Sequence, residues 1–101
     1  MKKLGFSLLF FVSVNAFAAT QTFKVTDNNP NNYGEESIQI KTTKGNLAIY
    51  SGSLDNSKSK LLTSLKKGDC VTLVTPYKLE KYENYYSIDE VTSVKKVVCP
   101  K

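Results

Sequence analysis

Residues Lys66 to Pro76, KKGDCVTLVTP, decide the fold. Cys70 to Thr75 (CVTLVT) is rich in β-branched and apolar residues and ends at Pro76, which has no N–H to give a sheet. It reads as a strand. Lys66-Lys67-Gly68-Asp69 before it reads as a tight turn, with Gly68 at a position suited to positive φ. Upstream, Leu61, Leu62 and Leu65 fit one helical face, with Ser57 as a cap and Gly68 as a stop. The same residues also fit an extended run into the turn, and the pattern over 58–67 leaves helix and strand both open.

Working toward the N-terminus, Leu47 to Tyr50 (LAIY) puts Leu47 and Ile49 on one face. Ser37 to Thr42 (SIQIKT) does the same with Ile38 and Ile40, and Ala19 to Thr26 (ATQTFKVT) with Phe23 and Val25. Asp27 to Gly34 (DNNPNNYG) and Ser51 to Lys60 are loops by composition. Toward the C-terminus, Tyr77 to Asn84 is a charged connection. Tyr85 to Ile88 (YYSI) is a strand with Tyr86 and Ile88 inward, and Val91 to Cys99 is a last apolar strand ended by Pro100. Six or seven short strands at spacings of about ten residues predict an all-β barrel or sandwich of antiparallel strands.

The first eighteen residues have the build of a secretory leader. Lys2 and Lys3 precede an apolar run, Gly5 to Val14, too short to span a bilayer, and Ala16-Phe17-Ala18 offers a cleavage site. The expected organisation is a signal peptide over 1–18 and one domain over 19–101. The expected location is the periplasm or the medium, with no membrane span after cleavage. Export leaves Cys70 and Cys99 where disulfides persist. If the strands that start at Cys70 and end at Cys99 are antiparallel neighbours, those ends meet and one bridge staples them.

Composition narrows the function. The chain of 101 residues has no His and two Cys, which excludes His-based triads and closed Cys/His zinc sites. Its formal charge of +5 falls to +3 without Lys2 and Lys3. All fourteen basic residues are Lys, so the bidentate chemistry Arg brings to phosphate and guanine is missing and no nucleic-acid partner is expected. Glu35-Glu36 and Asp89-Glu90 are adjacent pairs that point opposite ways in a strand, which does not suit paired acid–base work. No catalytic set, metal site or cofactor is expected.

The order from Leu47 to Val74 resembles a bacterial SH3-like domain. Leu47-Ala48-Ile49-Tyr50-Ser51-Gly52 stands where that family has a strand of the type L-N-V-R-S-G. Leu62 and Leu65 lead into Lys66-Lys67-Gly68-Asp69 and Val71-Thr72-Leu73, as a K-K-G-D/T turn leads into a V-x-V/L strand. Tyr85-Tyr86-Ser87-Ile88 takes the place of the later W-Y-K-V strand. The family's Gly-Trp pair is absent, since the chain has no Trp. The resemblance implies a small SH3-like barrel and a binding role in the cell envelope.

Four tyrosines, Tyr77, Tyr82, Tyr85 and Tyr86, fall within ten residues. Tyrosine joins a large apolar ring to a hydroxyl, which suits protein interfaces and sugar faces. With Tyr86 inward, Tyr77, Tyr82 and Tyr85 are the contact candidates. Glu80 and Glu83 beside them add an acidic character that would steer a basic partner. Two functions fit: an exported binding module for an envelope protein or peptidoglycan, and a periplasmic immunity protein or inhibitor that blocks a toxin or a lytic enzyme.

Overall fold

The computed structural model describes residues 18–100, and the leader assigned to 1–18 lies outside them except for Ala18. Seven strands form one strongly curled sheet. They are β1 (Ala19–Asp27), β2 (Ser37–Thr42), β3 (Gly45–Tyr50), β4 (Cys70–Thr75), β5 (Lys81–Tyr82), β6 (Tyr85–Ile88) and β7 (Ser93–Val97). One helix, α1 (Asn56–Ser64), lies between β3 and β4, and single 3-10 turns occupy Pro30–Asn32 and Ser51–Ser53. The order across the sheet is β5-β6-β3-β2-β1-β4-β7, a curled half-barrel.

β1 makes the curl. Its residues Ala19 to Lys24 pair with β4, and Val25 and Asp27 pair with β2. The register breaks between Val25 and Asp27, a bulge that bends the strand so that it serves both halves of the sheet. Alternation does the rest. Phe23, Val25, Ile38, Ile40, Leu47, Ile49, Val71, Leu73, Tyr86 and Ile88 all turn into the concave side and are buried. Phe23 meets Tyr86 edge to face, with ring centroids 5.4 Å apart.

Residues 58–67 contain both local structures that their sequence allowed. The helix runs to Ser64 and packs Leu62 and Leu65 into the core. The chain then turns through Lys66–Asp69, where Gly68 has φ of +96°. The cap is Asp55 rather than Ser57, and its carboxylate accepts from the Lys58 N–H at 2.8 Å. The other end is finished from outside the helix. Asn28 Nδ2 donates to the carbonyls of Leu62 (3.0 Å) and Leu65 (2.8 Å), and the Tyr33 hydroxyl donates to Asn28 Oδ1. The Asn-rich loop is thereby tied to the helix, and its side chain satisfies carbonyls that a helix end leaves open.

Three details differ from the sequence expectation. β3 and β6 run parallel, so the strands are not all antiparallel. Such a pair needs a long crossover, and the chain between them, holding α1 and β4, provides it. The expected connection 77–84 contains strand β5, which pairs with β6. The last strand begins at Ser93, leaving Val91 buried but outside the sheet. The expected staple is present. β4 and β7 are antiparallel neighbours, Cys70 lies opposite Val97, and Cys70 and Cys99 are bonded with a Cα–Cα distance of 5.2 Å.

Candidate functional site

The alternation that buries the core carries a second set of side chains to the convex side. Over β5, β6, β3 and β2 this outer face has a definite layout. Tyr82 is the register partner of Tyr85, Tyr85 of Asn46, Asn46 of Lys41, and Lys41 of Asp27. These residues form one row across five strands. The next row holds Gln39, Ala48 and Ser87, and beyond it Ser37 pairs with Tyr50. Tyr82 is 78% exposed, Tyr85 45% and Tyr50 46%, so three rings stand on a face otherwise made of small and neutral polar groups. Charge enters at the rim, through Lys41 and Asp27.

Between Tyr85, Asn46, Lys41, Gln39 and Asn32 the face dips into a hollow of about 30 Å3. That is room for a hydroxyl- or amide-sized group, with amides, the Lys41 ammonium and the Asp27 carboxylate around it. The ring of Tyr50 is held at the far side. A Cβ on Gly52 would come within 2.6 Å of that ring's end, so the bare backbone of Gly52 is what lets the ring lie where it does.

The hairpin that carries Tyr82 and Tyr85 turns through Glu83 and Asn84. Glu83 has φ of +58°, the left-handed region that costs a residue with a Cβ and that glycine adopts freely. Glu83 is the one non-glycine residue with positive φ among the described residues. The turn is anchored below, where the Asn46 N–H donates to the Asn84 carbonyl at 2.8 Å. Gly45, at φ of +138°, leaves room there: a Cβ would meet the Asn84 carbonyl oxygen at 3.2 Å and Lys81 Cε at 3.0 Å. Strain kept at an exposed tip is a feature of contact sites.

The structure thus brings Tyr82, Tyr85 and Glu83 together, with Glu80 exposed one residue before β5. Tyr77 lies elsewhere. It follows β4, and the charges of Asp89 and Glu90, which come after β6, act on it, so it sits at the end of β6 away from Tyr85. Partial desolvation, and then those two carboxylates, raise its pKa above the ordinary phenol value. Cys70 and Cys99 are occupied in the disulfide. The face also contains residues that sequence reasoning missed as contacts: Tyr50, Asn46, Gln39, Lys41 and Ser87. The outward positions of β2 and β3 were readable from their alternation. Their union with Tyr85 was not, because it depends on the parallel pairing of β3 with β6.

Among the described residues no group of three or more Cys, Asp or Glu side chains gathers in a way that would hold a metal. No protein-family model, curated protein or solved structure matches the chain.

Proposed function

We propose that this chain is an exported, non-catalytic binding module of the bacterial cell envelope, which contacts a protein or glycan partner through the outer face of β5, β6, β3 and β2. The observation that carries the reading is the row Tyr82–Tyr85–Asn46–Lys41, with Tyr50 on the same face two rows away along β3. Rigid aromatic rings set among Ser, Asn and Gln give contact area at low entropic cost and adaptable hydrogen bonding, as in binding loops selected for recognition. The leader-like N-terminus, the disulfide and the resemblance to bacterial SH3-like domains support the envelope setting.

The projecting tip of the β5–β6 hairpin favours a second reading. An exposed acidic turn with Glu83 strained at its apex and a tyrosine on either side has the shape of a plug for a basic cleft. In that reading the chain is an immunity protein or inhibitor of a toxin or lytic enzyme.

The test is retention of the protein on purified peptidoglycan sacculi and on immobilised envelope proteins, with Tyr82→Ala/Tyr85→Ala as the comparison. The reading expects retention by one of these and its loss in the double variant. Equal retention of wild type and variant would place binding elsewhere. Rescue of cells from a co-encoded toxin, without retention on envelope material, would favour the inhibitor.

A further inference from the structure

We propose that the hollow beside Tyr85 holds the acetamido group of an uncharged glycan built from N-acetylhexosamines. The inference rests on the tyrosine face being the binding surface, and it names the ligand of that face. Asp27 ends β1, Lys41 lies on β2 and Asn46 on β3, and the register sets the three side by side with Tyr85 of β6 next in the row. Asn32, from the 3-10 turn, completes the polar lining. Among the described residues none of the side chains of Asp27, Asn32, Lys41 and Asn46 has a hydrogen-bond or ion-pair partner, although Lys41 and Asp27 are register neighbours. The hollow therefore presents an acceptor of one sign and a donor of the other, with amides between them and no net charge.

An acetamido group asks for that set. Its N–H needs an acceptor, which the Asp27 carboxylate is. Its carbonyl needs a donor, which the Lys41 ammonium and the Asn46 and Asn32 amides are. Its methyl needs an apolar wall, which the Tyr85 ring gives. The space of about 30 Å3 admits a group of that size and no larger anchor. A protein partner anchors through big side chains in deep, fully desolvated pockets, and this face has none. The rest of the face suits a chain of sugars. Tyr50 is four residues from Asn46, about 13 Å along the strand. Ala48, Ser87 and Gln39 make a low floor between them. Several linked sugars span that distance, with their C–H faces on the rings of Tyr85 and Tyr50 and their hydroxyls over the neutral polar floor.

The test titrates isotope-labelled protein, recovered from cells expressing the full chain, with chitotetraose and with cellotetraose, and reads the backbone amide resonances. The two sugars share their linkage, and cellotetraose has a hydroxyl where chitotetraose has each acetamido. Chitotetraose should move the amides of Lys41, Asn46 and Tyr85, and cellotetraose should bind at least about tenfold more weakly, because the polar groups of the hollow are then left unpaired. Asn46→Ala should weaken chitotetraose and leave cellotetraose nearly unchanged, whereas Tyr50→Ala should weaken both alike. The Asn46 side chain makes no described hydrogen bond, and its N–H, which bonds the Asn84 carbonyl, is kept in the variant, so the fold is retained. No binding of chitotetraose, equal affinity for the two sugars, or resonance shifts confined to another face overturns the inference. If chitotetraose fails while retention on envelope proteins still depends on Tyr82 and Tyr85, the face stands and its partner is a protein. Retention on sacculi and envelope proteins that is indifferent to those tyrosines overturns the face itself.

Discussion

Tyr82 and Tyr85 stand opposite one another across the β5–β6 hairpin, and Tyr85 is at the same time the parallel-strand partner of Asn46. That double pairing joins the hairpin to the outer face of β3 and β2. It also separates the stability of the face from its use. Cross-strand aromatic pairs contribute roughly 0.2–1 kcal/mol, whereas buried tyrosine anchors at interfaces cost about 2 kcal/mol or more when truncated. Tyr82→Ala and Tyr85→Ala should each leave the urea midpoint little changed and weaken partner binding at least about tenfold.

Glu83 is held in the left-handed region at the tip. Replacing it with glycine removes a backbone cost of about 1–2 kcal/mol, partly offset by the larger freedom of glycine in the unfolded chain. Glu83→Gly should raise the thermal midpoint and Glu83→Val should lower it. A lower midpoint for the glycine variant would contradict the strain assigned to this turn.

Gly45 lies beneath that tip at φ of +138°, with the Asn84 carbonyl 3.2 Å from where a Cβ would sit. Gly45→Ala should destabilise by about 1–3 kcal/mol and loosen the β3–β6 joint. Faster amide exchange at Asn46, whose N–H bonds the Asn84 carbonyl, reads the loosening directly.

The disulfide closes a loop between residues 29 apart in sequence. Such a cross-link stabilises by about 3–4 kcal/mol through the unfolded state. Cys70→Ser should therefore lower the melting temperature markedly, and an unchanged melting temperature would refute the staple.

The pH profile follows from four groups, two carboxyls and two phenols, one of the phenols being Tyr77, raised by desolvation and by Asp89 and Glu90. The Lys66 N–H holds the Asp69 carboxyl below the ordinary carboxylate range, and the Lys58 N–H does the same for Asp55. A depressed folded-state pKa contributes stability above the unfolded value and loses it as pH falls through the folded one. Burial raises the Tyr33 phenol, against a smaller opposing effect of its bond to Asn28. A raised pKa contributes stability that is full below the unfolded value and lost as pH rises through the folded one. Urea midpoints should be level near neutrality, fall below about pH 4, and fall again above about pH 10. Asp69→Asn and Asp55→Asn should flatten the acid limb.

Much of the fold was legible because it is local. Period-two alternation placed Phe23, Val25, Ile38, Ile40, Leu47, Ile49, Tyr86 and Ile88 inward, where they lie, and put the boundaries of β2, β4 and β6 at the observed residues. The staple was legible because antiparallel neighbours bring opposite ends together. What escaped depends on distant partners. Asp55 and Ser57 are both good caps, and the helix starts at Asn56, so that the Asp55 carboxylate is the one that takes the Lys58 N–H. β5 is two residues long and its turn lacks the usual glycine, so neither pattern nor turn chemistry announces it. The parallel pairing of β3 with β6 leaves no mark in either strand, and with it the union of Tyr50, Asn46 and Tyr85 stayed hidden.

The tyrosine face is the centre of the account, and in-cell photo-crosslinking tests it most directly. The photoreactive residue p-benzoylphenylalanine is placed at position 85 in one strain and, in another, at position 72, whose Thr72 hydroxyl pairs with that of Thr22 on β1 in the other half of the sheet. A discrete adduct of higher mass is expected from position 85 and absent from position 72. Adducts from position 72 alone, or the same adducts from both, would contradict it.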